Sequence, residues 1–244
     1  MIPLFIDCEA APEAMKTLQA ALTLPNLELK GVSVFGKEAV NIGVPTAYGA
    51  EASLLSDVGP DRRTSGLSGQ RAVELLAETV RTETGLVLCC LGPLTNIAAF
   101  VLCYPELKEK LKNCIVLGGA VFGGNAAPCA ERNFYRDPEA AAIVIGSGLP
   151  LTVIPLEASD FGRWAMPLLL LEEPQAVNIE KHNMRVEVHS IQSRGCSVTD
   201  LLNRDKRGTM VDIVTGADCE ALKRLIERVE GGERSGAWQD EGHH

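Results

Sequence analysis

Histidine is scarce in this chain: there are four, and His243 and His244 are two of them. None of the eight cysteines forms a CxxC pair. Together these leave too few well-spaced ligands for a zinc site. A basic excess is also missing. The net charge is −9 and the pI about 5.0, so nothing advertises nucleic acid or an anionic membrane as a partner. No apolar run is long enough to span a bilayer. No signal peptide is expected, because Met1-Ile2-Pro3 runs straight into a strand and a carboxylate cluster. Internal repeats, low-complexity tracts and domain linkers are likewise absent from the sequence.

What is present is ordinary for a globular chain: 46% hydrophobic and 23% charged residues over 244 positions. That length builds one sizeable core rather than two comfortable domains. We expect a single domain over 1–230 and a flexible polar tail over 231–244. Several cysteines sit inside apolar runs, as in Leu86-Val87-Leu88-Cys89-Cys90-Leu91. They read as reduced, buried, small apolar residues, which suggests a cytoplasmic protein.

Short apolar runs alternate with helical patterns. Strands are expected at Pro3-Leu4-Phe5-Ile6, Lys30 to Phe35, Leu86 to Leu91, Cys114 to Leu117 and Leu151 to Leu156. Helices are expected from Pro12, over Ala72 to Thr82, from a Thr95 or Asn96 cap to about Cys103, after an Asp137 cap, and after an Asp218 cap. Two later strands of a second type are expected at Arg185 to Ile191 and Met210 to Val214. The pattern predicts an α/β fold with a largely parallel central sheet flanked by helices. Ligands in such sheets sit at the carboxyl ends of strands. This rule directs attention to Asp7 to Glu13, Phe35-Gly36-Lys37, Thr95-Asn96, Gly118 to Asn133 and Glu157 to Asp160.

The first strand ends in Asp7-Cys8-Glu9-Ala10-Ala11-Pro12-Glu13. Three close carboxylates repel unless a cation or hydrogen bonds compensate. A hard cation would suit them. Acids decorating a helix N-terminus are the alternative, and on spacing alone the simpler one.

The stretch Leu91-Gly92-Pro93-Leu94-Thr95-Asn96-Ile97-Ala98 carries more information. So does Val116-Leu117-Gly118-Gly119-Ala120, continuing through Gly124-Asn125, Ala130-Glu131-Arg132-Asn133 and Asp137-Pro138-Glu139-Ala140-Ala141. These segments closely resemble the two central motifs of the nucleoside hydrolases, which hydrolyse the N-glycosidic bond of ribonucleosides. The resemblance is dense from Gly85 to Leu156. It implies a nucleoside hydrolase-like sheet, calcium as cofactor, a nucleoside or ribose ligand and a homo-oligomer. By the same resemblance Asp7, Glu9 and the Thr95 carbonyl would be metal ligands, with Glu9 and Asp7 in catalysis. Asn125, Glu131 and Asn133 would hold ribose hydroxyls. Asp137 reads as a helix cap.

The chain also departs from the family pattern. Where the family has four aspartates, this sequence has Asp7, Glu9, Glu13 and Ala14. Lys37 follows Gly36 where an asparagine is usual, and its charge would neutralise the acids or face solvent. A late His-Asp pair that completes the metal and base-leaving site falls on Arg163-Trp164, and several helices before it are missing. Asp160 is the one nearby acid to replace it. The implied function is a nucleoside hydrolase-family protein with an impaired metal site and weak or no catalysis. Two alternatives stay open: an active calcium-dependent N-ribohydrolase using Asp7, Glu9, Glu13 and Asp160, or a non-catalytic nucleoside-binding or interaction protein.

Overall fold

The computed structural model describes residues 1–9, 11–35, 46–48, 67–159, 161–205 and 207–233. Lys37 and Asp160 lie outside them. The first strand, β1 (Ile2–Glu9), sits near the middle of a ten-stranded sheet. Its alternation divides the molecule. Leu4, Ile6 and Cys8 point into one apolar layer, and Phe5 points into the other. Asp7 shares the side of Phe5, two residues further along the strand.

β1 is flanked by β2 (Leu27–Phe35) and β5 (Val87–Cys90), both parallel to it. Beyond β2 come β3 (Thr46–Tyr48) and β4 (Leu67–Arg71). Beyond β5 come β6 (Asn113–Leu117) and β7 (Leu151–Ile154), again parallel. The sheet finishes with β10 (Thr209–Ala217), β8 (Val177–Val186) and β9 (Ser197–Asp200). β10 is parallel to β7, and β8 is antiparallel to both β10 and β9. This is the largely parallel α/β sheet that the sequence predicts.

Helices cover both faces. On one side α2 (Ala72–Thr82), α3 (Thr95–Cys103) and α5 (Pro138–Ile145) bury Leu76, Ile97, Phe100 and Val144 with Phe5. On the other, α1 (Pro12–Thr23), α6 (Met166–Glu172) and α7 (Cys219–Glu233) bury Leu18, Leu168 and Leu222 with Leu4 and Ile6. A five-residue helix, α4 (Arg132–Arg136), caps the sheet end after β6. Pro12 and Pro138 occupy first helical turns as expected, where a missing N–H costs nothing. Asp137 accepts the Ala140 N–H at 3.0 Å, and Asp218 accepts those of Glu220 and Ala221. Both are caps, as the sequence implies.

Three expectations shift. The strand sought at Arg185 to Ile191 runs instead over Val177–Val186. Asn178, Glu180 and Lys181 disguise its exposed first half. It stops where the Glu187 carboxylate accepts the His189 and Ser190 N–H groups at 2.7 and 3.0 Å, which closes a turn. Neither Thr95 nor Asn96 caps α3, whose N-cap is Leu94. The last helix continues through Glu233, past the expected boundary at 230, and 234–244 lie outside the described residues.

Candidate functional site

The carboxyl ends of β1, β5 and β6 lie side by side, and the named polar residues gather there. Asp7 is fully buried. Its Oδ1 accepts the Ser33 hydroxyl from β2 and the Asn96 amide from α3, the latter at 2.9 Å. Its Oδ2 is buried with no hydrogen-bond partner. Burial pushes the Asp7 carboxyl up to about 7, against the lowering effect of those two donors. Thr95 opens α3, and its hydroxyl donates to Asp137 at 2.5 Å. The two polar residues expected to compete for a helix cap therefore link the end of β5 to β1 and to the start of α5.

Glu9 continues on the same side of β1 as Asp7. Both of its oxygens are taken: Oε1 by Arg132 at 2.9 Å and Oε2 by Arg136. These arginines are four apart on α4, so their side chains leave one helix face. Glu13 faces solvent in the first turn of α1. Ala14 is buried in the apolar layer with Leu18 and Trp164. A carboxylate at that position would have to be desolvated there, which is costly without a partner.

Glu131 stands before α4 as its N-cap. Its Oε2 accepts the N–H groups of Gly119, Asn133 and Phe134 at 3.2, 2.9 and 3.3 Å, and its Oε1 meets Arg163 at 3.4 Å. Burial raises the Glu131 carboxyl, while Arg163 and the three N–H groups oppose the shift. Asn133 donates to the carbonyls of Leu117 at 2.8 Å and Leu91 at 3.4 Å, tying the ends of β6 and β5. Leu91 in turn donates its N–H to the Asp7 carbonyl at 2.7 Å. Asn125 is exposed, and its Oδ1 accepts the Arg132 N–H at 2.9 Å, closing its own loop.

Gly118-Gly119 makes this packing possible. A Cβ on Gly118 would meet the Phe134 ring at 2.5 Å, and Gly119 holds φ +74. Arg163 reaches in from the segment after β7, anchored by the carbonyls of Pro155 and Ile154 at 3.1 and 2.9 Å. Trp164 turns away and packs on α1, where its carbonyl accepts the Thr17 hydroxyl at 2.7 Å.

The structure thus brings Asp7, Glu9, Thr95, Glu131 and Asn133 to one end of the sheet, with Asn125 on the adjoining loop. The sequence reading missed Ser33, Arg132, Arg136 and the inward turn of Arg163. The one available signal was the spacing of Arg132 and Arg136 on a short helix directly after the Glu131 cap. Asp7 Oδ2, buried and unpartnered, is the feature that fits a cation. The rest of the donor set does not. Glu9 is spent on two guanidinium groups, and the Arg163 guanidinium stands beside Glu131 Oε1, where it opposes a cation. Among the described residues no group of three or more His, Cys, Asp or Glu side chains is placed to hold a metal ion.

Residues 34–168 match the family model described as inosine-uridine preferring nucleoside hydrolase. A pyrimidine-specific ribonucleoside hydrolase RihA from Klebsiella pneumoniae is 30% identical over 190 residues, and one from Salmonella typhimurium 32%. Each alignment covers 65% of this chain and 61% of the relative, so the chain spans less than two thirds of these proteins. Among solved structures, a purine-preferring ribonucleoside hydrolase from Gardnerella vaginalis superposes with TM-score 0.77 and 20% identity, covering 94% of this chain and 98% of that one. An inosine-uridine preferring nucleoside hydrolase from Bacillus anthracis gives 0.78 and 18%, over 94% and 99%. These structural matches establish the shared fold.

Proposed function

The chain belongs to the inosine-uridine preferring nucleoside hydrolase family, and from that premise we propose that it binds a nucleoside or its ribose with little metal-dependent hydrolysis. The family reaction breaks an N-glycosidic bond through an oxocarbenium-like sugar. A bound metal would supply an activated water by lowering its pKa. The observation that carries our reading is the occupation of both Glu9 oxygens by Arg132 and Arg136. A carboxylate with a guanidinium charge on each oxygen holds a cation or a water's proton far less readily. Asp7 and Glu9 are therefore remnants of the catalytic pair, and the Thr95 carbonyl lacks the charged co-ligands that calcium prefers.

Glu131, Asn133 and Asn125 remain the groups for ribose hydroxyls. Glu131 and Asn133 are buried and held by backbone contacts, so they are pre-positioned rather than free to adapt. A second reading, hydrolysis with calcium held by rearranged ligands, is favoured by one observation, the unpartnered Asp7 Oδ2. We also read the protein as a cytoplasmic homo-oligomer. Its eight free cysteines, four of them buried, support the compartment.

Calcium calorimetry followed by inosine and uridine cleavage assays tests this reading. We expect no tight calcium binding, cleavage at or near background, and measurable heat on titration with nucleoside or ribose. Calcium-dependent release of base at an enzyme-like rate would establish the second reading. Absence of both calcium and nucleoside binding would leave an interaction protein with a vestigial site.

A further inference from the structure

The eight cysteines fall into three environments: four are buried, two partly buried and two exposed. Cys8, Cys89, Cys90 and Cys114 are buried under the sheet, and burial pushes the Cys8, Cys89 and Cys90 thiols up. Cys90 and Cys114 even approach to 3.8 Å between sulfurs, but in the fully buried interior of β5 and β6. No oxidant dissolved in water reaches them there.

Cys129 and Cys196 lie nearer the surface. Each is only partly buried. They come from distant segments brought together by an antiparallel bridge that pairs Ala130 with Cys196. Cys129 is the residue before that bridge, and its sulfur points toward the hairpin, 3.9 Å from the Gln192 carbonyl. Burial first, and then the Cys129 thiol, raise Cys196 to about 11. Bridged partners have Cα atoms ~4.5–5.5 Å apart. A disulfide needs Cα atoms no more than about 7 Å apart, and Cys129 stands one residue along the chain from the Ala130 that is bridged to Cys196.

The geometry points to Cys129 and Cys196 as a disulfide-forming pair that fastens the Asn125–Glu131 segment to the β8–β9 hairpin. The oxidant class is a small disulfide such as oxidised glutathione. The Cys129 thiolate attacks one glutathione sulfur, and the glutathione disulfide bond breaks with release of one glutathione thiolate. Cys196 then attacks the Cys129 sulfur of the mixed disulfide and gives its proton to solvent. The protein disulfide forms and a second glutathione leaves. The two protein thiols are oxidised, and one glutathione disulfide is reduced to two thiols. Cys129 is the entry sulfur, because Cys196 holds its proton too firmly to attack first.

The bond would clamp two elements that hydrogen bonds already hold in place. Ser197, next to Cys196, donates to the Ala120 carbonyl and accepts the Ala120 N–H, both at 2.7 Å. Asn125 closes its loop on Arg132. The cross-link would therefore join elements already in register, without demanding that either move far.

The test is to treat the folded chain, carrying Cys103→Ser and Cys219→Ser to remove the two exposed thiols, with oxidised glutathione. Peptide mass mapping without reductant follows. We expect a cross-linked Cys129–Cys196 peptide lighter by two hydrogens, while Cys8, Cys89, Cys90 and Cys114 are alkylated only after unfolding. The Tm should rise on the order of 5 °C and return with reductant. In a further Cys196→Ser variant, glutathione should instead persist as an adduct on Cys129. Free Cys129 and Cys196 after treatment, or a stable glutathione adduct on Cys129 with Cys196 present, overturns the proposal. These readouts need no nucleoside, so they stand apart from the proposed ligand.

Discussion

The end of β1 and the segment from Gly118 to Asp137 meet at one edge of the molecule, but they have kept different things. The later segment keeps the family's residues, and each holds part of the fold together. Glu131 caps α4, Asn133 ties two strands and Asp137 caps α5. At the end of β1, two of the four expected aspartates have become Glu9 and Glu13, and the fourth position is the buried Ala14. The difference teaches which charges of the chain itself face these carboxylates. The retained segment supplies two of them, since Arg132 and Arg136 come from α4 and close on Glu9. Arg163 does the same for Glu131 from the shortened region after β7.

Asp7 is the acid that this exchange leaves unbalanced, and the largest effect is expected there. Its carboxyl moves from 3.8 to about 7. Below the lower value both folded and unfolded chains carry the proton. Between the two, the unfolded chain releases it while the folded chain keeps it, so stability falls as pH rises. The accumulated loss by neutral pH is on the order of 4 kcal/mol, and above about 7 this group adds no further slope. Asp7→Asn removes the titration. Urea unfolding in chelator should show the variant gaining on the parent from pH 4 to 7, with the gap constant beyond. Parallel pH profiles would mean that Asp7 titrates alike in the folded and unfolded chain, and the contrast between the two regions would collapse.

Glu131 probes the retained segment. In Glu131→Ala, three backbone N–H groups lose their acceptor and the Arg163 guanidinium loses its carboxylate. Losing a cap costs ~0.5–2 kcal/mol, and stranding a mostly buried charge costs more. We expect about 3 kcal/mol from chemical denaturation. Glu131→Gln should cost less, about 1–2 kcal/mol, because an amide oxygen still serves the three N–H groups that all converge on Oε2. Equal losses in both variants would show that the Arg163 pairing, not the cap, dominates.

Much of this layout was legible in the sequence because it rests on short-range patterns. Apolar strands, proline first turns and the Asp137 and Asp218 caps are local chemistry, and they fall where the residues indicate. The motif residues at the ends of β1, β5 and β6 were legible because strand ends in a parallel sheet converge. The arginines were not. A charge on an exposed helix turn looks like solvation until the fold shows which carboxylate lies across from it. Glu9 and Arg136 stand 127 positions apart, and nothing in the sequence signals that pairing. Asn96 was misread for a related reason: a cap is the local use of asparagine, whereas its partner Asp7 is 89 residues away.

The smallest effect is expected at the arginine clamp, and it sharpens the comparison most. Glu9 is largely sheltered, with its side chain 14% exposed, but Arg132 is 56% and Arg136 32% exposed. Such ion pairs gain little net energy, because water and salt screen the partners and long side chains lose freedom. A double-mutant cycle of Glu9→Gln with Arg136→Ala should give a coupling of about 1 kcal/mol, reduced in high salt. Its structural consequence is larger than its energy. Arg132→Ala with Arg136→Ala releases both Glu9 oxygens while leaving the Glu131 cap and the core intact. If the clamp is what keeps a cation out, calorimetry on that variant should show calcium heat that the parent lacks, and Glu9→Gln added to it should abolish the gain. No calcium heat in the released variant would assign the loss to Ala14 and the missing His-Asp pair. The arginines would then balance Glu9 without deciding whether a cation binds.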